Sequence, residues 1–460
     1  MYDDTIAAIA TAPGEAGIGV VRLSGPEALA IARRLFEPSA RHCAYDSHRL
    51  YHGHVQDGND VVDEVLLAYM RAPRSYTAED VVEIHGHGGP APLERILHLA
   101  IASGARLANP GEFTLRAFIN GRLDLTQAEA VADVIQARSE SSLRLAVNQL
   151  SGRLSAAVDA VQRRILGVMA HLEANIDFSE DDVPQAASAM LLAELGAAEA
   201  DLRRLLEAAD EGILYRRGAH VAIAGRPNAG KSSLLNALLR TNRAIVTPVA
   251  GTTRDTIEET ISLRGLPVVL VDTAGITETE DPIEVIGVHR SKAAIQDADL
   301  VLMVYDASVG WTSEDADIAN VLPRQPLCVA NKRDLLAAIA RDGDAGSSPQ
   351  PSPRGGGAGA IEVSALTGEG LPELEGAIRS RLVVRSGVDD ILVNNLRHKT
   401  LLEHAAAHVA DARASVETGR PADFIAIDLR AALTDLGTLT GTEVSESLLD
   451  EIFSRFCIGK

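Results

Sequence analysis

The chain has 460 residues, 46% of them apolar and 3% aromatic, and carries a formal net charge of −21. That length predicts two to four domains with cores of Leu, Val, Ile and Ala. The acidity argues against a histone-like or strand-coating role, although a local patch or a partner can still supply positive charge for RNA contact.

Residues 1–119 mix short β-type runs with helices. Gly17–Ser24 and Val61–Ala68 are expected as strands, Pro26–Leu35 and Pro92–Ala102 as helices, and the segment His85–Gly89 as a turn between the last strand and the second helix. This pattern predicts a small α+β domain. From Thr126 to Asp210 the pattern is helical. Leu143, Val147, Leu150, Leu154, Val158, Val161, Ile165, Val168 and Leu172 recur at steps of three and four, as one long stripe. Leu191, Leu195, Leu202 and Leu205 form a second.

Near Gly218 the period changes: Val221–Ala224 is a short buried strand, and α/β alternation continues to about Leu382. Helices return at Leu392–Val416, Ala422–Leu439 and Val444–Phe456. The domain boundaries expected are 1–119 (α+β), 120–217 (helical, first part), 218–382 (α/β) and 383–460 (helical, second part), with the α/β domain inserted in the helical one. The Gly-, Pro- and Ser-rich stretch 342–359 cannot bury a core and is expected to be a disordered surface loop.

Cys43, Cys328 and Cys457 are too few and too scattered for a disulfide framework or a tetrahedral zinc site. The acidic opening MYDDTIAAIA is not a secretory signal, and no stretch approaches the ~20 apolar residues of a membrane span. A soluble protein of a reducing cytoplasm is expected.

The chemistry is carried by the α/β region. Gly225-Arg-Pro-Asn-Ala-Gly-Lys-Ser232 fits G-x-x-x-x-G-K-[ST], after a strand and before the helix Ser233–Leu239. Its backbone N–H groups can curl around phosphates, Lys231 can reach the β/γ oxygens, and the Ser232 hydroxyl suits magnesium. Asn228, Ala229, Gly230 and Ser233 complete the cradle. Asp272-Thr273-Ala274-Gly275 follows the apolar strand Val268–Val271. Its Asp can hold the magnesium shell, and the Gly275 N–H can sense a γ-phosphate. Asn331-Lys332-Arg333-Asp334 follows the strand Leu327–Ala330. A carboxylate there pairs the N1 and N2 donors of guanine, which adenine lacks. Ser364-Ala365-Leu366 follows Ala360–Val363 and can close over the base. Four motifs in order, each after its own strand, define a GTP-binding and GTP-hydrolysing protein. They resemble the translation-factor-like branch of GTPases.

Ile276 stands where many GTPases place a water-orienting Gln. Glu258, Glu259, Glu278, Glu280 and Glu284 are carboxylates in or near the switch regions, and sequence physics does not choose among them. Between the first two motifs lies Thr247-Pro248-Val249-Ala250-Gly251-Thr252-Thr253-Arg254-Asp255. Thr253 is the natural ligand of magnesium and γ-phosphate. Arg254 is either an arginine finger or a structural partner of Asp255.

Taken with Ala250–Asp255, Pro110–Phe118, Leu123–Glu129 and Cys457-Ile-Gly-Lys460, the run Gly225–Asn236 resembles the bacterial tRNA modification GTPase family called MnmE or TrmE, over essentially the whole chain. The resemblance implies a homodimer formed through the N-terminal domain. It implies an FAD-dependent partner of the MnmG or GidA type, joined in a heterotetramer or larger complex. The implied reaction installs a 5-carboxymethylaminomethyl-type group on the wobble uridine of tRNA, with 5-formyl- or methylene-tetrahydrofolate as carbon donor. It also implies potassium held by Asn228 and by the loop residues Thr247, Val249 and Thr252, and Glu284 as the water-orienting carboxylate. For the folate site it implies Arg22, Glu79, Arg122 and Lys460; the residues alone favour an ordinary ion pair of Arg22 and Glu79, and only the resemblance reverses that. Cys457 is either a reactive thiol or a buried structural one. The competing functions are a regulatory or ribosome-assembly GTPase without modification activity, and a folate-binding scaffold with a vestigial GTPase. The insertion 342–359 departs from the family pattern.

Overall fold

The computed structural model describes residues 3–40, 44–178, 185–242, 258–272, 295–336, 359–383 and 391–460. The chain divides into two compact units, one of Met1–Ala132, Gln149–Glu199 and His404–Lys460, the other of Asp133–Asn148 and Ala200–Glu403.

The first unit begins with β1 (Ile6–Ile9), β2 (Ala16–Ser24), α1 (Ala28–Leu35), β3 (Phe36–Pro38), β4 (Arg49–Asp57), β5 (Asp60–Met70), β6 (Val81–Gly88), α2 (Pro90–Ala102), β7 (Arg106–Leu107) and α3 (Glu112–Ile119). The seven strands lie in the order β3-β4-β5-β6-β2-β1-β7, antiparallel except for the β1–β7 pair. Alternate residues go to opposite faces. Val21, Leu23, Leu67, Val82 and Ile84 pack on Ile31 and Leu35 of α1 and on Ile96 of α2. Ile6 and Ala8 turn the other way, toward Phe113 of α3.

Two expectations are corrected here. His85–Gly88 is the end of β6, not a turn. Its glycines mark close backbone approach: a Cβ on Gly88 would lie 2.5 Å from the Ala16 carbonyl oxygen. The single stripe Leu143–Leu172 is two helices, and the preceding helix starts one residue earlier than Thr126. These are α4 (Leu125–Gln136), α5 (Glu140–Leu150) and α6 (Arg153–Phe178). The stripe breaks at Ser151-Gly152, where Gly152 takes φ +82°. Leu154, Val158, Val161, Ile165, Val168 and Leu172 of α6 are buried, whereas Leu143 and Val147 of α5 are exposed.

After α7 (Gln185–Leu206) and α8 (Ala209–Arg217) come β8 (Ala219–Ala224), α9 (Lys231–Asn242), β9 (Glu258–Leu263), β10 (Leu266–Asp272), β11 (Leu300–Asp306), α10 (Ser313–Asn320), β12 (Leu327–Asn331), β13 (Ile361–Glu362) and α11 (Leu371–Leu382). The sheet order is β13-β12-β11-β8-β10-β9, parallel except for the β9–β10 hairpin. Helices cover both faces, so its central strands are apolar throughout. Val221 and Ile223 meet Leu234 and Leu238 of α9 on one face. Ala222 and Ala224 meet Ile295 and Met303 on the other. Truncating Leu238, which is fully buried, to Ala is worth about 2–5 kcal/mol. Leu145 of α5 and Tyr215 of α8 belong to this same core. The Arg138 guanidinium donates to the Thr260 hydroxyl of β9 at 2.8 Å.

The chain finishes with α12 (Leu396–Glu417), α13 (Ala422–Thr440) and α14 (Glu446–Ser454). α13 packs along α6, with Leu429, Ala432 and Leu436 buried. No described helix is long and apolar enough to cross a membrane.

Candidate functional site

β8 lies between β10 and β11, and the loop Gly225–Gly230 leaves its C-terminal end. Gly225 has φ +146°, and a Cβ there would lie 2.1 Å from the Val304 carbonyl oxygen, so only glycine lets the loop turn so close to β11. Asn228 is left-handed at φ +63°, a conformation Asn tolerates better than other side chains. The Lys231 ammonium, from the first turn of α9, donates to the carbonyl oxygens of Gly225 and Arg226, both at 2.9 Å. This holds the cation inside the loop. Ser232 and Ser233 are exposed in that same turn. Asp272 pairs in register with Ile223 at the end of β10, which brings it beside the phosphate loop.

Asn331 ties three of the motifs together. It is buried, its side-chain amide donates to the carbonyls of Ala229 and Gly230 at 3.2 and 3.3 Å, and its side-chain oxygen accepts the Ala365 N–H at 3.1 Å. The Ser364 hydroxyl donates to Asp334 at 2.6 Å, which orients that carboxylate. Leu366 is exposed beside it.

Lys332 is left-handed at φ +65°, and its ammonium bonds Asp306 at 2.7 Å. Burial pushes the Asp306 carboxyl up, but Lys332 and the Ser308 hydroxyl and N–H outweigh it and hold it below the ordinary range. Sequence reasoning missed Asp306. The signal was its position at the end of β11, in register with Asn331. It also missed the anchor of the loop, where Arg226 donates to the fully buried Asp315 at 2.7 Å. Asp315 is also the capping-box residue of α10.

Several expected residues lie outside the described residues: Cys43, Thr247, Pro248, Val249, Ala250, Gly251, Thr252, Thr253, Arg254, Asp255, Thr273, Ala274, Gly275, Ile276, Glu278, Glu280, Glu284 and loop positions 342–358.

A second constellation sits on the seven-stranded sheet. Arg22 of β2 donates to Glu83 of β6 at 2.8 Å and to the Gly459 carbonyl oxygen at 3.2 Å. Its guanidinium lies 5.4 Å from the Tyr76 ring centroid and 5.7 Å from that of Phe113. Arg122 stands 5.2 Å from the same Tyr76 ring and donates to the Tyr76 carbonyl. Tyr76 thus bears two cations, an arrangement favourable to the ring quadrupole. The hydrogen bond from His85, and then Arg22, hold the Glu83 carboxyl at about 2 against the opposing effect of burial. Burial first, then the Arg22 charge, push the Lys460 ammonium down. Arg22 and Arg122 therefore share one aromatic ring, and Lys460 lies close enough to Arg22 and Glu83 to feel their charges.

Glu79 has other partners. It is buried, accepts the Ser24 hydroxyl at 2.8 Å and faces the Arg116 guanidinium at 3.3 Å. Arg116 also bonds Asp4 and Glu112. Arg22 and Glu79 are accordingly not each other's ion pair. Cys457 is exposed and outside any disulfide, and its carbonyl accepts the Gly111 N–H.

A parallel sheet whose central strand feeds a phosphate loop, with the Asn331-Lys-Arg-Asp334 motif two strands away, defines a Ras-like P-loop GTPase. Comparison with known proteins narrows the class. Residues 125–457 match the family model of the MnmE helical domain, and residues 5–122 match that of the GTP-binding protein TrmE N-terminus. A tRNA modification GTPase MnmE of Roseiflexus sp. (strain RS-1) is 49% identical over 466 residues, covering 100% of both chains. Its counterpart from Roseiflexus castenholzii (strain DSM 13941 / HLO8) is 50% identical over 469 residues, again 100% of both. That of Alkaliphilus oremlandii (strain OhILAs) is 45% identical over 477 residues with the same coverage. The chain belongs to the tRNA modification GTPase MnmE family. It is a GTP hydrolase with an N-terminal TrmE-type α+β domain and a helical domain whose match brackets the GTPase region.

Proposed function

We propose that this chain is a potassium-dependent GTPase that acts with an FAD-dependent MnmG/GidA-type partner to install a 5-carboxymethylaminomethyl-type group on the wobble uridine of tRNA. The carbon comes from a tetrahydrofolate derivative. The observation that carries this reading is the cationic cluster on Tyr76. Arg22 and Arg122 on one ring, with Lys460 near Arg22, suit an aromatic ligand with a carboxylate tail, and this site shares a chain with the four guanine-nucleotide motifs.

Arg22, Glu79, Arg122 and Lys460 would hold the folate, which when bound supplies the one-carbon unit. Glu79 keeps its orientation through Arg116 and Ser24. At the GTPase site, Ser232 and Thr253 would hold magnesium, with Asp272 in its outer shell. Their oxygens suit a hard cation. Asn228, Thr247, Val249 and Thr252 would hold potassium, whose charge offsets that developing at the β/γ bridge. Glu284 orients the attacking water, a role Ile276 cannot fill. Cys457 is a candidate thiol at the edge of the folate site. In this reading the domains are 1–119, 120–217, 218–382 and 383–460, the N-terminal domain forms the homodimer, and the protein works in the cytoplasm.

Mass analysis of tRNA nucleosides from a deletion strain tests the modification. Loss of the wobble-uridine group is expected, and unchanged wobble uridines would leave only a regulatory or ribosome-assembly GTPase. Turnover in potassium against sodium at equal ionic strength tests the cation. Equal rates would remove Asn228 and the loop 247–252 from that role and turn attention to Arg254.

A further inference from the structure

A run of exposed arginines borders the Tyr76 site. Arg33 and Arg34 end α1, Arg49 opens β4, Arg71 follows β5, and Arg74 lies on the loop that leads to Tyr76. A chain of contacts links Arg33, Arg49, Arg71 and Arg74, and Arg34 adjoins Arg33 in sequence. The Arg33 guanidinium stacks 4.6 Å from the Tyr45 ring, and Tyr45 packs on Tyr51 at 5.4 Å. The Tyr51 hydroxyl accepts the Asp46 N–H. The Ser47 hydroxyl accepts the Arg71 N–H at 2.9 Å, and the Arg74 N–H donates to the Arg71 carbonyl at 3.0 Å.

Negative charge within this patch is sparse or already engaged. Asp46 lies 3.6 Å from Arg49. Asp80 accepts the Tyr69 hydroxyl and the Ala72 N–H. Arg33, Arg34, Arg71 and Arg74 form no ion pair among the described residues. On a chain of net charge −21, five clustered arginines against two engaged carboxylates form a local positive surface. Stacking on Tyr45 removes part of the rotamer freedom of Arg33 before any ligand arrives.

We infer that Arg33, Arg71 and Arg74, with Arg34 and Arg49 beside them, form a docking surface for the phosphate backbone of tRNA. Guanidinium forks match phosphate oxygens bidentately. Arg74 and Tyr76 are two positions apart, so their Cα atoms are at most about 7 Å apart. RNA held there lies next to the proposed carbon-donor site. The inference rests on the modification reading above and adds to it which surface holds the substrate.

The test uses the full-length protein and bulk tRNA from a deletion strain. Binding is followed by fluorescence anisotropy across a salt series. Arg33→Ala/Arg71→Ala/Arg74→Ala should weaken tRNA binding by about 10–100-fold at moderate salt, and should lower the slope of log affinity on log salt by about two to three. GTP turnover should stay at the wild-type rate, which reports an intact fold. The triple Lys variant keeps three point charges and should keep most of the slope. Wild-type affinity and slope in the Ala variant would overturn the inference while leaving the modification reading standing. Failure of the wild type to bind tRNA, or loss only of binding to anionic lipid vesicles in the Ala variant, would also overturn it. The modification reading is judged separately, by the nucleoside analysis.

Discussion

In the six-stranded sheet the motif residues of the proposed nucleotide site stand at the C-terminal end of a parallel strand or just past it: Lys231 after β8, Asp272 at the end of β10, Asn331 and Asp334 at and beyond β12. In the seven-stranded sheet the comparable residues come from the middle of β2, from β6, from a loop, and from Gly459, which lies 437 positions after its partner Arg22. In a parallel sheet every strand-to-helix loop leaves the same C-terminal edge, so a ligand binds there and its contacts are short, contiguous motifs. An antiparallel sheet offers a face, so a ligand meets single residues spread along the chain.

If that contrast is functional, damage to one site should leave the other working. The largest effect is expected from Lys231→Ala. It removes the cation held inside the phosphate loop and should lower kcat/KM for GTP by about a thousandfold. Folate affinity, measured by calorimetry on the same variant, should not move. Asp334→Asn comes next. It exchanges the acceptor for guanine N1 and N2 for an amide that can donate, and should weaken GTP about a hundredfold. It should favour a xanthine nucleotide, which carries a carbonyl where guanine has its amino group. Nucleotide competition checks the exchange.

Smaller effects are expected on the antiparallel side. Tyr76→Ala removes the ring shared by Arg22 and Arg122 and should weaken folate binding about tenfold, with GTP turnover unchanged. A drop in turnover would mean that the two sites are not separable. The smallest effect concerns Glu83, whose carboxyl is held at about 2 instead of 4.5. Because its folded value is depressed, the stability it contributes is complete above about pH 5 and is lost as pH falls from 4.5 toward 2. Glu83→Gln should therefore lower thermal stability at pH 7 by at most about 3 kcal/mol and flatten the acid limb of the stability profile. An unchanged acid limb would mean that Glu83 is not held by His85 and Arg22 in solution.

The same contrast explains how much could be read from the chain itself. The phosphate loop, the base-reading motif and their strands were legible because each motif follows an apolar run with no long-range partner needed. Asp306 and the Arg226–Asp315 anchor were not, because their meaning depends on strand register and on a helix cap 89 positions away. In the N-terminal sheet β1, β3, β4, β6 and β7 escaped notice, and the glycines that end β6 looked like a turn. Close packing against Ala16 requires glycine there just as a turn would. Arg22, Arg122 and Lys460 entered only through family resemblance, since nothing local marks them. The α6 stripe hid its break because Leu150 and Leu154 keep helical spacing across Gly152.

The contact between Arg22 and Gly459 has a consequence for synthesis. Gly459 sits so near β1 that a Cβ would come within 2.5 Å of the Ile9 carbonyl oxygen. At about 5–20 residues per second, translation separates the two partners by roughly 20 to 90 seconds. Throughout that interval the first strands of the nascent chain wait without their last wall, and in its last part the nucleotide-binding unit, whose segments end at Glu403, is already complete. A newborn molecule therefore has its nucleotide-binding unit whole before Gly459 can close on Arg22.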